Sequence, residues 1–343
     1  MTDSIGIAVI GAGMAGQAHA AAYRVAPRLY DPVLPPLRYV AIGDVNETLG
    51  AHVARRYGYE KALGSWEEVA EDPEIDVVSV VIANRFHRRA VEGLLEAGKH
   101  VLCEKPLSDT LEDARAMARA AEAAESIARI GFTFRRTPGI AAIRDLIQDG
   151  TLGRVLHFSG RYWTDYGFNP KAPMSWRYQG GPGSGALADV GSHLAYVADL
   201  LCGDIASGAG SLEVSRVAAG HPNTLTFEVF CAKGAARFHQ LRPAEIELFL
   251  HEGAEATNGH RTVNLGPGHA YLSQGLAMDA PGVGFGQNDA FGYQARAFLE
   301  EVAGLDESVS LPRNASFAEG VHNMEILAAA VESAASHGQK VVL

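Results

Sequence analysis

The spacing of hydrophobic positions changes part-way along this chain. Ile5–Ile10 is a short β-branched run, glycines follow at once, and residues 14–25 form an Ala-rich stretch with helical spacing. Apolar runs at 39–43, 76–83 and 100–103 then alternate with helical patterns at 47–57, 88–97 and 111–125. Near-continuous apolar strands separated by helices predict a parallel sheet covered on both faces, because each crossover lays a helix over the sheet. Residues 128–134 read as one more strand. The proline-rich stretch at 26–36 cannot be one helix and predicts an inserted loop.

Past Gly150 the period shortens. Segments at 155–163, 225–231 and 245–250 alternate and are divided by Gly, Pro and Asn turns, while helical patterns recur at 185–201, 290–302 and 317–336. These predict an α+β domain with a largely antiparallel sheet after an α/β domain. A length of 343 residues suits two cores, and the cleft between two such domains is the expected ligand site.

Composition narrows the class. Forty acidic against 29 basic residues give a net charge of −11, which disfavours nucleic acid as a main partner because phosphate binding needs a basic footprint. Residues 1–4 carry no basic region of a secretory signal, and the dense apolar run at 77–83 is far short of the roughly 20 residues that span a bilayer. Cys103, Cys202 and Cys231 are odd in number and widely spaced, as reduced thiols of a cytoplasmic protein would be.

The first glycines carry chemistry. Gly11-Ala12-Gly13-Met14-Ala15-Gly16 has a strand before it and a helix after it. In that context the first glycine permits the tight turn and the second lets backbone N–H groups approach a dinucleotide pyrophosphate. The third lets the helix pack on the sheet, and the helix N-terminus faces the phosphate charge. Asp44 closes the second strand, where a carboxylate can accept the adenosine ribose hydroxyls. It lies 28 positions beyond Gly16, against about 20 in the usual fingerprint, an excess that the inserted loop explains. Asp44 would repel a 2′-phosphate, and Val45 and Asn46 offer no cation, so NAD is expected rather than NADP. A plain strand-end turn is the other reading of Asp44.

Glu104-Lys105-Pro106 follows the fourth strand, which puts Lys105 at the carboxyl edge of the sheet, where α/β ligands bind. In Asp189-Val190-Gly191-Ser192-His193 the carboxylate and imidazole are i and i+4 neighbours on a helix. A carboxylate orients an imidazole and stabilises its protonated form, as a general base needs. By itself the pair is equally a surface ion pair, half a metal site or a catalytic dyad. The segments 162–167 and 172–178 are rich in rings and hydrogen-bonding groups, a mixture that suits a sugar or an aromatic-rich interface.

Taken together, the glycine turn, Ala83-Asn84-Arg85-Phe86-His87, Glu104-Lys105-Pro106, Trp176-Arg177 and the Asp189-to-His193 pair resemble the glucose–fructose oxidoreductase / inositol dehydrogenase / MocA (Gfo/Idh/MocA) family. Ile82-Ala83 stands where that family usually has Thr-Pro. The resemblance covers essentially the whole chain, and it extends to the levoglucosan/inositol dehydrogenase-like branch. It implies a Rossmann domain over residues 1–131 and a substrate-binding and oligomerisation domain over 132–343, built on an open, mostly antiparallel sheet. It further implies NAD-dependent oxidation of a sugar or polyol hydroxyl without a metal. By the same resemblance Lys105, Asp189 and His193 are catalytic. His193 would take the hydroxyl proton as hydride leaves for the nicotinamide, Asp189 would orient it, and Lys105 would stabilise negative charge on the reacting oxygen. Asn84, His87, Glu104, Lys105, Trp176 and Arg177 would line the nicotinamide half. Lys105, Tyr162, Asp165, Trp176, Asp189 and His193 would meet the substrate. An NAD-dependent glycosidase working by transient oxidation and a non-catalytic NAD-binding regulator are the alternatives. A homodimer or homotetramer burying the open sheet face is expected.

Overall fold

In the computed structural model the chain forms two compact units, residues 1–132 with 288–324, and residues 133–287 with 325–343. The structure describes all residues except 1–3, 32, 172–179, 182, 204–208, 253–257, 274, 279 and 281.

The first unit carries the expected parallel sheet. Its strands are β1 (Ile5–Ile10), β2 (Leu37–Gly43), β3 (Lys61–Leu63), β4 (Val77–Val80), β5 (His100–Cys103) and β6 (Ala128–Ile130), in the order β3-β2-β1-β4-β5-β6 with every pair parallel. The chain reverses direction across the sheet between β1 and β4, which creates the crevice at the carboxyl ends where such folds bind ligands. Helices α1 (Met14–Val25), α2 (Glu47–Tyr57), α3 (Trp66–Glu71), α4 (His87–Glu96) and α5 (Leu111–Ala123) connect the strands. Asn46, Ser65 and Thr110 cap α2, α3 and α5 by accepting backbone N–H groups.

Two features of this unit depart from the linear pattern. The stretch read as a strand to residue 134 ends at Ile130, after which the Gly131 N–H donates to Cys103 and the chain makes a single helical turn over Thr133–Arg136. The second feature is α8 (Gln287–Val302), distant in sequence, whose Ala295, Phe298 and Leu299 join the core formed by β1, α1 and β2. The inserted loop serves that junction. Ala26 accepts a hydrogen bond from Arg296, and Tyr30 packs on Tyr293 at 5.9 Å. A single boundary at 131/132 therefore omits a segment that returns to the first core, because α8 carries the apolar face that closes it.

The second unit is a six-stranded sheet in the order β12-β11-β10-β9-β7-β8. Its strands are β7 (Val155–Trp163), β8 (Ala209–Ser215), β9 (Thr224–Cys231), β10 (Gly234–His239), β11 (Glu245–Leu250) and β12 (Arg261–Asn264). Only β7 and β8 run parallel. Alternation is clean in β9, where Leu225, Phe227, Val229 and Cys231 are buried while Thr226, Glu228 and Phe230 point outward. The inner face packs on Ile140 and Ile143 of α6 (Pro138–Gln148) and on Leu194, Val197 and Leu201 of α7 (Ser192–Cys202). The last helix among the described residues, α9 (Phe317–Ala335), belongs to the first unit up to Met324 and to the second from Glu325.

Candidate active site

The glycine turn has the stereochemistry its spacing implies. Gly11 sits at φ +102°, and a Cβ there would meet the Val81 carbonyl oxygen at 2.1 Å. At Gly16 a Cβ would lie 1.8 Å from the Gly11 oxygen, whereas at Gly13 it would meet nothing within 4 Å. Gly13 is also the N-cap of α1 and brings no side-chain cap, so the positive end of the helix opens into free space beside the exposed Met14 and the half-buried Ala15. An open cradle at an uncapped helix start fits a pyrophosphate. Buried Ala12 donates its N–H to Asp44 Oδ2 at 2.7 Å, and Oδ1 accepts from the Asn46 N–H at 2.8 Å. Asp44 thus ties the end of β2 to the glycine turn, and a carboxylate with about four acceptor sites retains capacity for ribose hydroxyls.

At the carboxyl ends of β4 and β5 the chain places Asn84, Glu104 and Lys105. Asn84 is buried and opens a short helical turn ahead of α4. Lys105 is half-buried, and the Lys105–Pro106 peptide is cis. His87 has no exposed surface, and its ring nitrogens face the Leu107 carbonyl at 3.1 Å and the Ile82 carbonyl at 3.0 Å. Burial holds this imidazole below its ordinary pKa, against the pull of those two carbonyls. His87 as placed bridges the loops after β4 and β5 rather than offering its ring to a ligand.

Sequence reasoning missed the group beneath Glu104. His19 on α1 meets Glu104 Oε1 at 3.0 Å through Nε2 and the Ser79 hydroxyl at 3.0 Å through Nδ1, and the Tyr23 hydroxyl completes the chain to Ser79 at 2.8 Å. Glu104 Oε2 accepts the N–H of Lys105 at 3.1 Å. Burial pushes the Glu104 carboxyl up, but the His19 bond and charge, the Lys105 charge and the Lys105 N–H together hold it below the ordinary carboxylate range. The signal was present in the pattern: Gly16, His19, Ala20 and Tyr23 lie on the buried face of α1, so two polar side chains fall on a core-facing stripe.

In the second unit, residues 187–191 form a π-helical turn that runs directly into α7, and Asp189 lies in it. Such turns are uncommon and concentrate at functional sites. Their wider winding brings residue i+4 closer to directly over residue i, so His193 on α7 follows Asp189 on one face. The His193 ring meets Phe134 edge-on at 4.8 Å and lies 6.0 Å from Tyr162. Tyr162, expected to meet substrate, is buried and its hydroxyl donates to Asn223 at 2.7 Å, so in this unit it forms a wall behind the imidazole. Asp165 lies in the turn after β7, where its carbonyl accepts the Phe168 N–H. A residue not singled out, Tyr166, donates its hydroxyl to Asp189 Oδ2, and the Arg216 guanidinium reaches the same oxygen at 3.4 Å. Burial first, then the bond to Asp189, raises the Tyr166 phenol well above its ordinary value and keeps it a donor. Trp176 and Arg177 lie outside the described residues.

Among the described residues no group of three or more His, Cys, Asp or Glu side chains is gathered as a metal site. A cavity of about 380 Å³ lies on the outward face of the second sheet, lined by Arg161, Glu228, Arg237 and Glu247 among others. It shares none of the residues above, and its Arg237 is paired with Glu228 and Glu247.

Comparison with known proteins places these features in context. Residues 5–132 match the model of an oxidoreductase family with an NAD-binding Rossmann fold, and residues 140–209 match a GFO/IDH/MocA C-terminal domain. The chain is 32% identical to levoglucosan dehydrogenase of Pseudarthrobacter phenanthrenivorans over 97% of each sequence. It is 33% identical to a myo-inositol 2-dehydrogenase of Thermotoga maritima over 45% of each. A levoglucosan dehydrogenase structure in complex with NADH and levoglucosan superimposes with a TM-score of 0.88, covering 97% of this chain and 98% of that one.

Proposed function

This chain belongs to the Gfo/Idh/MocA oxidoreductase family, and from that premise we propose that it is an NAD-dependent dehydrogenase of a sugar, anhydrosugar or inositol hydroxyl. The observation that carries the reading is the full-length similarity to levoglucosan dehydrogenase, a protein whose structures hold NADH with levoglucosan or L-sorbose.

The bound nicotinamide supplies a hydride acceptor when the alcohol is oxidised. The work of the chain is to bind, orient and handle the proton. The glycine turn holds the pyrophosphate, and Asp44 takes the ribose hydroxyls and disfavours a 2′-phosphate, which selects NAD over NADP. Lys105 donates a hydrogen bond to the reacting oxygen and stabilises the charge that develops there as its proton leaves. His193 accepts that proton, and Asp189 keeps the imidazole oriented and stabilises its charged form. Asn84, Glu104, Trp176 and Arg177 are assigned to the nicotinamide half, Asp165 and Trp176 to the substrate, and His87 and Tyr162 to supporting them.

We further assign the outward face of the second sheet, where Phe230 is exposed beside His157 at 5.6 Å, to a homodimer or homotetramer interface, and the chain to the cytoplasm, where its three thiols stay reduced. Light scattering of the purified protein decides the first. A panel of levoglucosan, L-sorbose, myo-inositol and other sugars with NAD decides the activity. NADH formation with at least one member, lost in Lys105→Ala while NADH still binds, is the expected result. Glycoside cleavage without net NADH, or wild-type turnover by Lys105→Ala, overturns the reading.

A further inference from the structure

Three backbone hydrogen bonds extend the pairing of β7 and β8 beyond the strands themselves. The Thr164 N–H donates to Ser215 at 2.8 Å, the Gly167 N–H to Arg216 at 2.9 Å, and the Ala218 N–H to Thr164 at 3.0 Å. These bonds place Tyr166 and Arg216 side by side on a rigid extension of the sheet rather than on independent loops. Both side chains reach Oδ2 of Asp189, Tyr166 through its hydroxyl and Arg216 through its guanidinium. Arg216 and Asp189 are largely buried, with 10% and 18% of their side chains exposed, so the contact is shielded from water on most sides. Tyr166 is 43% exposed.

We propose that Tyr166 and Arg216 are positioning residues for the proton-handling pair, clamping one oxygen of Asp189 and so fixing the orientation of its carboxylate. The inference rests on the assignment of Asp189 and His193 under the proposed function. Two donors on one oxygen lock the rotation of the carboxylate and hold it as an anion. Asp189 is then a fixed orienter that takes no proton during the reaction, and the proton stays on His193 until it leaves. The segment 162–167, whose composition suits a sugar or an aromatic-rich interface, in this way divides its labour: Tyr162 backs the imidazole and Tyr166 secures its partner.

The groups that face the pair within the second unit include Tyr162 from β7, Tyr166 from the turn after it and Arg216 from the segment after β8. Arg135, on the helical turn before α6, lies over the Tyr196 ring of α7 at 5.9 Å. Removing the Arg216 cation takes away a like charge that opposes the imidazolium, and removing the Tyr166 hydroxyl returns carboxylate charge to it. Both changes raise the pH at which His193 titrates.

The test is histidine-selective NMR of the full-length protein, with the His193 resonance assigned by its loss in His193→Gln. It is run beside turnover of levoglucosan with NAD. The expected result is an upward move of the His193 midpoint, by about one pH unit in Arg216→Gln and less in Tyr166→Phe, with the midpoint restored toward wild type in Arg216→Lys. In turnover, Tyr166→Phe lowers kcat about tenfold with KM little changed. Should Arg216→Gln fail to fold, Tyr166→Phe decides. An unmoved midpoint in Arg216→Gln and Tyr166→Phe overturns the inference, and the NMR arm needs no substrate. If Asp189→Asn and His193→Gln turn over at the wild-type rate, the underlying assignment falls with it. If those two are inactive while Tyr166→Phe and Arg216→Gln match wild type in both readouts, only the clamp is wrong.

Discussion

The His19 imidazole meets the Glu104 carboxylate at 3.0 Å, so the residue that precedes Lys105 is anchored from below by the helix that carries the glycine turn. The helix that begins at the glycine turn and the loop that carries Lys105 thus share one contact, between a buried imidazole and a carboxylate. With its carboxyl held below the ordinary range, Glu104 contributes stability above its unfolded value near ~4.3, and that contribution is lost as pH falls through the lower folded value. Glu104→Gln should therefore melt below wild type at pH 7, and the gap should narrow between about pH 5 and pH 3. Melting curves across that range check it, and a constant gap would show that the carboxylate is not the stabilising form.

The glycine turn separates folding from binding. Gly13→Ala adds a methyl that meets nothing, so its melting temperature should stay near wild type while NADH affinity falls about tenfold or more, as the methyl stands where phosphate must approach. Gly16→Ala drives a Cβ into the Gly11 carbonyl and should destabilise by about 1–3 kcal/mol through forced backbone movement. Fluorescence titration with NADH and thermal melts of both variants distinguish the two. A Gly13→Ala protein that binds NADH as tightly as wild type removes the turn from the cofactor site.

Cofactor choice should follow Asp44. Wild type is expected to bind NADPH about tenfold or more weakly than NADH, because a carboxylate repels the 2′-phosphate. Asp44→Asn should narrow that preference and also loosen NADH, since the amide is a poorer partner for the Ala12 N–H. Equal dissociation constants for the two cofactors in wild type would reject Asp44 as the selector.

The buried Arg296–Glu300 pair on α8 is almost free of solvent on both sides, at 2.6 Å, and Glu300 also accepts the Leu311 N–H at 2.7 Å. Removing one partner leaves a buried charge uncompensated, so Glu300→Ala should cost about 3–5 kcal/mol in urea unfolding. A loss under about 1 kcal/mol would mean that water reaches Arg296 once the carboxylate is gone.

Much of the first unit was legible in sequence because its signals are local. A β-branched run, three glycines at fixed spacing and an Ala-rich helix each state their own geometry, and the limits of β1, α1, α2 and β5 coincide with the apolar pattern. Other strands were not legible: β3 has three residues, too few for a period to emerge, while β10 and β12 lack the alternation and β-branched enrichment that mark a strand and take their place by pairing with the strands next to them.

What the amino-acid sequence by itself determined is the parallel α/β half, the cofactor turn and the residue types able to handle a proton. Tertiary structure alone decided that α8 closes the first core, that His19 lies under Glu104, and that Tyr166 and Arg216 hold Asp189. The physical reason is range. Backbone preference and hydrophobic period act over a few residues, whereas a buried polar group takes whichever partner the packed sheet brings within hydrogen-bonding distance, and Glu104 lies 85 positions from His19.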